Sequence, residues 1–186
     1  ETCVASLTVE ELINLSGKGN SILEELLPMK LTYGEIEGSM RLRESISTLY
    51  QNQTIENIVV THGAIGANAL VHEAMVSEGD HVISICPTYQ QHYSIPESYG
   101  AEVEILWLKP ENNFLPDLIE LKSMLRSNTK LIVLNNPNTP TGALMMDEYL
   151  NNFIDVVVPS GAYVLCDEVY RGTNQECTGF APAMAD

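Results

Sequence analysis

The chain is short of positive charge. Its 186 residues hold 9 Lys and Arg against 25 Asp and Glu, a formal net charge of −16. Nucleic-acid binding depends on clustered Lys and Arg that displace counterions, so this balance argues against it. An anionic membrane surface is disfavoured for the same reason. Long apolar runs are also missing. Stretches such as Leu131–Leu134 and Val156–Val158 fall far short of the roughly 20 residues needed to span a bilayer. The residues from Glu1 onward show no basic stretch and no apolar core, so no signal peptide is expected. Cysteines are few: Cys3, Cys86, Cys166 and Cys177, with no CxxC spacing. A zinc site is therefore not expected. Cys86 and Cys166 sit in apolar, strand-like runs and read as buried free thiols, which suits a reducing cytoplasm. Neither GxGxxG nor a P-loop occurs, which disfavours an unrelated nucleotide-binding domain.

Hydrophobic residues make up 45% and charged residues 18%, an ordinary globular balance. There is no internal repeat, low-complexity tract or Pro/Gly/Ser linker. Short β-branched runs at Asn57–Thr61, His81–Cys86, Glu102–Leu108, Leu131–Asn135 and Ala162–Cys166 predict strands. Between them, Ala64–Ser77, Gln90–Tyr99, Leu118–Arg126 and Asp147–Val158 predict helices. This alternation predicts an α/β fold of three layers, helix–sheet–helix, with a mainly parallel sheet. Residues 1–50 break the rhythm. Thr8 and Glu11 have capping-box spacing, Leu31–Ser39 is irregular, and a further helix is predicted near Met40–Tyr50. This region reads as an N-terminal arm and helix, with 51–186 forming the α/β body.

Open parallel sheets bind ligands outside the carboxyl ends of their strands. Four such ends stand out. In His62-Gly63-Ala64-Ile65-Gly66, a strand turns through glycine into a helix whose free N–H groups could take a phosphate; tight helix–strand packing explains the glycines equally well. Pro87-Thr88-Tyr89 places an aromatic where it could stack on a planar ring, or simply pack on the rim. Asn135-Asn136-Pro137-Asn138-Thr139-Pro140-Thr141-Gly142 reads by default as a plain turn, although it could hold amides and hydroxyls at fixed positions. Asp167, at the end of an apolar strand, must be paired if buried. It could meet a protonated ring nitrogen with Tyr170 nearby, or cap the following turn. His62, His72, His81 and His92 have no nucleophile or metal partner at readable spacing, and read as packed or solvated.

These pieces together resemble the class I and II aminotransferases, the fold-type I pyridoxal-phosphate enzymes. The resemblance runs from about Leu31 to Tyr170. It rests on NNPNTPTG followed by AYVLCDEVY, supported by YGEIEGSMRLRESI and THGAIGANAL. It implies that Gly63, Ala64 and Ile65 bind the phosphate of pyridoxal 5'-phosphate through their backbone. Tyr89 would stack on the ring, Asp167 would pair with its nitrogen, and Tyr170 would bond its phenolic oxygen. Tyr33 would reach the partner's phosphate across a homodimer. An amino acid and a 2-oxo acid would be the substrates, in the cytoplasm.

The sequence departs from the family in two places. The loop usually reads N-P-x-N-P-T-G, and its second Asn, which contacts the phenolic oxygen, corresponds here to Thr139, with Asn138 adjacent. The family also needs a lysine, beyond the D-x-x-Y motif, that bonds covalently to the cofactor. Lys18, Lys30, Lys109, Lys122 and Lys130 all precede Asp167. The chain therefore reads as an N-terminal portion that ends before the catalytic lysine, leaving an open sheet edge and no catalytic residue of its own. A lyase, decarboxylase or cyclising enzyme of the same fold remains an alternative, as does a non-catalytic α/β module.

Overall fold

A computed structural model of the chain describes residues 6–19, 21–173 and 180–186. Cys3, Cys177 and the Thr178-Gly179 pair lie outside the described residues. The chain divides into two compact units, Glu1–Glu35 and Ile36–Asp186. The first contains α1 (Val9–Leu15) and α2 (Ser21–Leu26), neither with a buried residue. The expected capping box opens α1: the Thr8 hydroxyl accepts from Glu11 N–H at 3.1 Å, and Glu11 Oε2 accepts from Thr8 N–H at 2.7 Å.

The second unit carries the sheet. Its order is α3 (Met40–Ser47), α4 (Gly63–Met75), β1 (His81–Cys86), α5 (Gln91–Ser98), β2 (Glu102–Trp107), α6 (Leu118–Met124), β3 (Thr129–Asn135), α7 (Asp147–Val157) and β4 (Tyr163–Asp167). The four strands lie in the order β2-β1-β3-β4, all parallel. β1 is buried along its whole length, as a strand between two neighbours and under helices on both faces should be, His81 and Ser84 included. Period-two alternation then divides the core. Ile83, Ile85, Ile132 and Leu134 face Leu121 and Met124 of α6 and Leu150, Phe153 and Val157 of α7. Val82, Leu131, Val133 and Leu165 point the other way and pack with Val71 and Val76. Helices on both faces make the three layers that the alternation predicts. The outer sides of β2 and β4 pair with no other strand among the described residues, so the expected open edge is present.

One expected strand does not form. Asn57–Thr61 begins as the end of a 3₁₀ turn, Ile55–Asn57, and continues irregularly. The run is β-branched, but a strand needs a neighbour to hydrogen-bond. A side chain takes one of its carbonyls instead: Arg43 donates from Nε to Ile58 O, and from Nη2 to Ile55 O in the turn before it, both at 2.8 Å. A single backbone bond, Val60 N–H to Glu37 O at 2.8 Å, ties the run to the segment before α3.

That tie depends on Gly38. Its φ of +99° is a region L side chains rarely adopt, and a Cβ there would stand 2.5 Å from both Cβ and Cγ2 of Val60. Gly38→Ala is expected to destabilise the second unit by about 1–3 kcal/mol, combining backbone strain with a clash against a branched side chain. Calorimetry checks this: the transition should fall by several degrees, and an unchanged or raised transition would refute it.

Candidate active site

The chain runs from β1 out to β2 and then returns past β1 to β3. The point where direction reverses therefore lies between β1 and β3, where open α/β sheets bind ligands. The segments leaving those strands are cross-braced above this point. Asn138, 7% exposed, donates from Nδ2 to Pro87 O at 3.2 Å, while its Oδ1 accepts from the Thr141 hydroxyl at 2.6 Å. Asn135 donates from Nδ2 to Asp167 O and accepts from Thr139 N–H at Oδ1, each at 2.6 Å. Asn136 N–H donates to Asp167 O at 3.0 Å, and its side-chain Oδ1 accepts from Met145 N–H at 2.8 Å. The loop that reads as a plain turn is thus a brace joining β1, β3 and β4. The Thr139 hydroxyl is half-buried and carries no bond within it.

Asp167 closes β4 and is 7% exposed. Its Oδ2 accepts from Asn68 Nδ2 at 2.9 Å and from His92 Nε2 at 3.2 Å. Its Oδ1 accepts from Val169 N–H at 3.1 Å. Oδ1 thus takes the turn-capping role foreseen for this residue, while Oδ2 is paired with two side chains, Asn68 and His92. Burial pushes the Asp167 carboxyl up, but the bonds from His92, Asn68 and Val169 outweigh it and hold the group below its ordinary value. Thr88 Oγ1 lies 2.8 Å from His92 Nδ1. With Thr88 donating to Nδ1, the ring carries its proton on Nε2 and aims it at Asp167.

Strand alternation turns the neighbours of Asp167 elsewhere. Glu168 accepts from Met184 N–H at 2.7 Å, and burial raises its carboxyl. Burial also pushes the Cys166 thiol well up, which keeps it unreactive. Cys86 and Cys166 are both free, as expected.

The other expected positions fall as follows. Gly63, Ala64 and Ile65 form the exposed first turn of α4, which no side chain caps. Gly63 has φ +72°, and only Ile65 Cγ2, at 3.7 Å, lies near where its Cβ would be. Tyr89 is 45% exposed and stands edge-on to His92, with centroids 6.2 Å apart. Tyr170 is half-buried in the turn after β4. Tyr33 belongs to the N-terminal unit and is fully exposed there. In the second unit, Lys109 pairs with Glu120 at 2.6 Å and Lys130 lies over the Tyr163 ring. Among the described residues no three His, Cys, Asp or Glu side chains group as metal ligands, and no helix is long and apolar enough to cross a membrane.

Sequence reasoning missed Asn68, Thr88 and His92. His92 is packed, as read, but it is also bonded to the central carboxylate. The available signal was Asn68 with His72, polar residues four apart on the inward face of an otherwise apolar helix.

Residues 23–185 match the family described as Aminotransferase class I and II. The chain is 33% identical over 139 residues to an aspartate aminotransferase from Pyrococcus horikoshii, covering 72% of this chain and 36% of that protein. It is 30% identical over 162 residues to a probable aspartate/prephenate aminotransferase from Thermus aquaticus, covering 82% and 41%. The crystal structure of a PLP-dependent aminotransferase from Streptococcus suis superposes with a TM-score of 0.91 at 45% identity, covering 98% of this chain and 48% of that one. The chain spans less than half the length of each.

His72 lies on the same face of α4, fully buried, with no partner at either ring nitrogen. Burial and the neighbouring His92 lower it from 6.5 to about 4. The unfolded chain then takes up a proton that the folded chain refuses. Stability is expected to fall as pH drops from about 6.5 to about 4, by about 3 kcal/mol from this group, and to level off below. His72→Phe should flatten that limb in urea melts run across the window. An equally steep limb in the variant would assign the loss elsewhere.

Proposed function

The chain belongs to the class I and II aminotransferases, and from that premise we propose that it forms the cofactor-binding part of a pyridoxal-phosphate enzyme that moves an amino group between an amino acid and a 2-oxo acid. The observation that carries this reading is Asp167: a buried, ionised carboxylate at a parallel strand end, fixed from three directions. A carboxylate offers about four acceptor positions. Three are filled, and the fourth, on Oδ1, is free to accept a pyridinium N–H.

The remaining groups fit the same ligand. The uncapped N–H groups at Gly63, Ala64 and Ile65 suit a phosphate dianion, and the bare Gly63 lets it approach. Tyr89 offers an exposed ring for stacking. Tyr170 and Thr139 offer hydroxyls for the phenolic oxygen, Thr139 because the Asn138 amide is committed to Pro87 and Thr141. When bound, pyridoxal phosphate supplies an electron-accepting ring for the substrate Cα. Asp167 keeps that ring protonated at nitrogen, while His92 and Asn68 keep Asp167 ionised. The reading extends to a homodimer in which Tyr33 reaches the partner's phosphate, and to a cytoplasmic setting consistent with the free thiols Cys86 and Cys166.

Equilibrium dialysis of the chain with pyridoxal phosphate tests the reading. One cofactor per chain should bind saturably and reversibly. Asp167→Ala should weaken it about 10- to 100-fold, the loss expected for a charge-assisted hydrogen bond. Because no lysine follows Asp167, borohydride should fix only scattered, substoichiometric label. Uptake that never saturates, or that Asp167→Ala leaves unchanged, would overturn the reading. In the same assay Thr139→Asn should be tolerated and tighten binding by about 0.5–1.5 kcal/mol, one hydrogen bond of longer reach. A large loss would show that the phenolic oxygen is met by another group.

A further inference from the structure

We propose that Asn68 is a positioning residue, fixing the orientation in which the Asp167 carboxylate meets the cofactor's ring nitrogen; the inference rests on the proposed function above. Asn68 is 5% exposed and sits in the second turn of α4. Its Nδ2 and His92 Nε2 lie 3.5 Å apart and converge on one oxygen, Asp167 Oδ2. Two donors on Oδ2 and a single N–H on Oδ1 leave the spare acceptor position on Oδ1. The two donors on Oδ2 are not equivalent. An imidazole gains or loses a proton, and its tautomer depends on what Thr88 offers. A carboxamide does not titrate, so Asn68 donates to Asp167 whatever state His92 adopts.

The location of Asn68 adds a second effect. The first residues of the same helix, Gly63 to Ile65, are those proposed to hold the phosphate. Asn68 is five residues beyond Gly63, roughly 7 Å along a helix axis. One rigid helix therefore sets both the phosphate anchor and, through Asn68, the carboxylate at the opposite end of the ligand. The titratable groups around this carboxylate are His92 from α5, His72 one turn further along α4, and Cys166 and Glu168 on either side of it in the chain.

Pyridoxine 5'-phosphate, which lacks the aldehyde and cannot react with lysines, is the probe. Its affinity for the chain is measured by titration calorimetry from pH 4.5 to 8. Asn68→Leu is expected to weaken binding about 10- to 100-fold at neutral pH. Its binding should also fail at higher pH on the acid side, because Asp167 has lost a donor that favours its ionised form. A purely structural role would leave that acid limb in place. Asn68→Ala removes the donor without adding charge or bulk, and it carries the test should the leucine variant not fold by circular dichroism. Asp167→Asn alone and combined with Asn68→Leu should bind within about twofold of each other, since Asn68 acts through Asp167. Wild-type affinity with an unshifted acid limb in both Asn68 variants overturns the inference and leaves the proposed function standing. A folded wild-type chain that does not bind the probe overturns both.

Discussion

A negative charge buried at the carboxyl end of β4 is the constraint that the upper rim of the sheet answers to. An ionised carboxylate taken out of water without partners costs several kcal/mol or gives up its charge. Asp167 keeps its charge because three separate elements reach it: α4 through Asn68, α5 through His92, and the turn after β4 through the Val169 N–H. Each donor fixes its own element against β4. Thr88 extends the chain of bonds to the segment leaving β1. The position of α5 follows from this as much as from apolar packing, since His92 and Pro96 are its only buried residues.

The loop after β3 answers a related problem. Asn135, Asn136 and Asn138 are all buried, and a buried amide must place both its donor and its acceptor. They do so against backbone: Asn135 on Asp167 and Thr139, Asn136 on Met145, Asn138 on Pro87 and Thr141. The result is a rigid polar bridge over the reversal between β1 and β3, built from residues whose usual use is in loose turns. It also decides which group is left over. The neighbouring amides are satisfied inside the loop, whereas no bond within it uses the Thr139 hydroxyl.

The legible features were those carried by local pattern. β1, β3 and β4 are near-continuous apolar runs ending in turn formers, and their positions follow from the sequence within a residue or two. The Asp-x-x-Tyr spacing from the end of β4 and the glycine opening α4 likewise fall at the strand end and helix start where the sequence puts them. What depended on partners was not legible. Asn57–Thr61 has strand composition but pairs with no strand among the described residues, and Arg43 from α3 takes its Ile58 carbonyl. Asn68 and His92 gain their roles only when α4 packs on β4 and α5 on the neighbouring strands, bringing together residues 99 and 75 positions apart from Asp167. Periodicity in α4 can mark Asn68 and His72 as sharing a face, but not what that face meets.

The inner face of α4 buries two polar side chains with different outcomes. Asn68 and His72 are four residues apart, so the helix presents them on one face, one above the other. Apolar side chains of similar size would bury there without penalty. For Asn68 the cost of burial is offset by the bond to Asp167. His72 has no such return: both ring nitrogens are buried without a partner, and its proton affinity is driven down by burial and by His92. On stability grounds an apolar side chain would serve at His72, but not at Asn68, whose loss takes a donor from a buried charge. Where α4 meets β4 it is therefore held by a polar bond, Asn68 to Asp167, as well as by the core it covers.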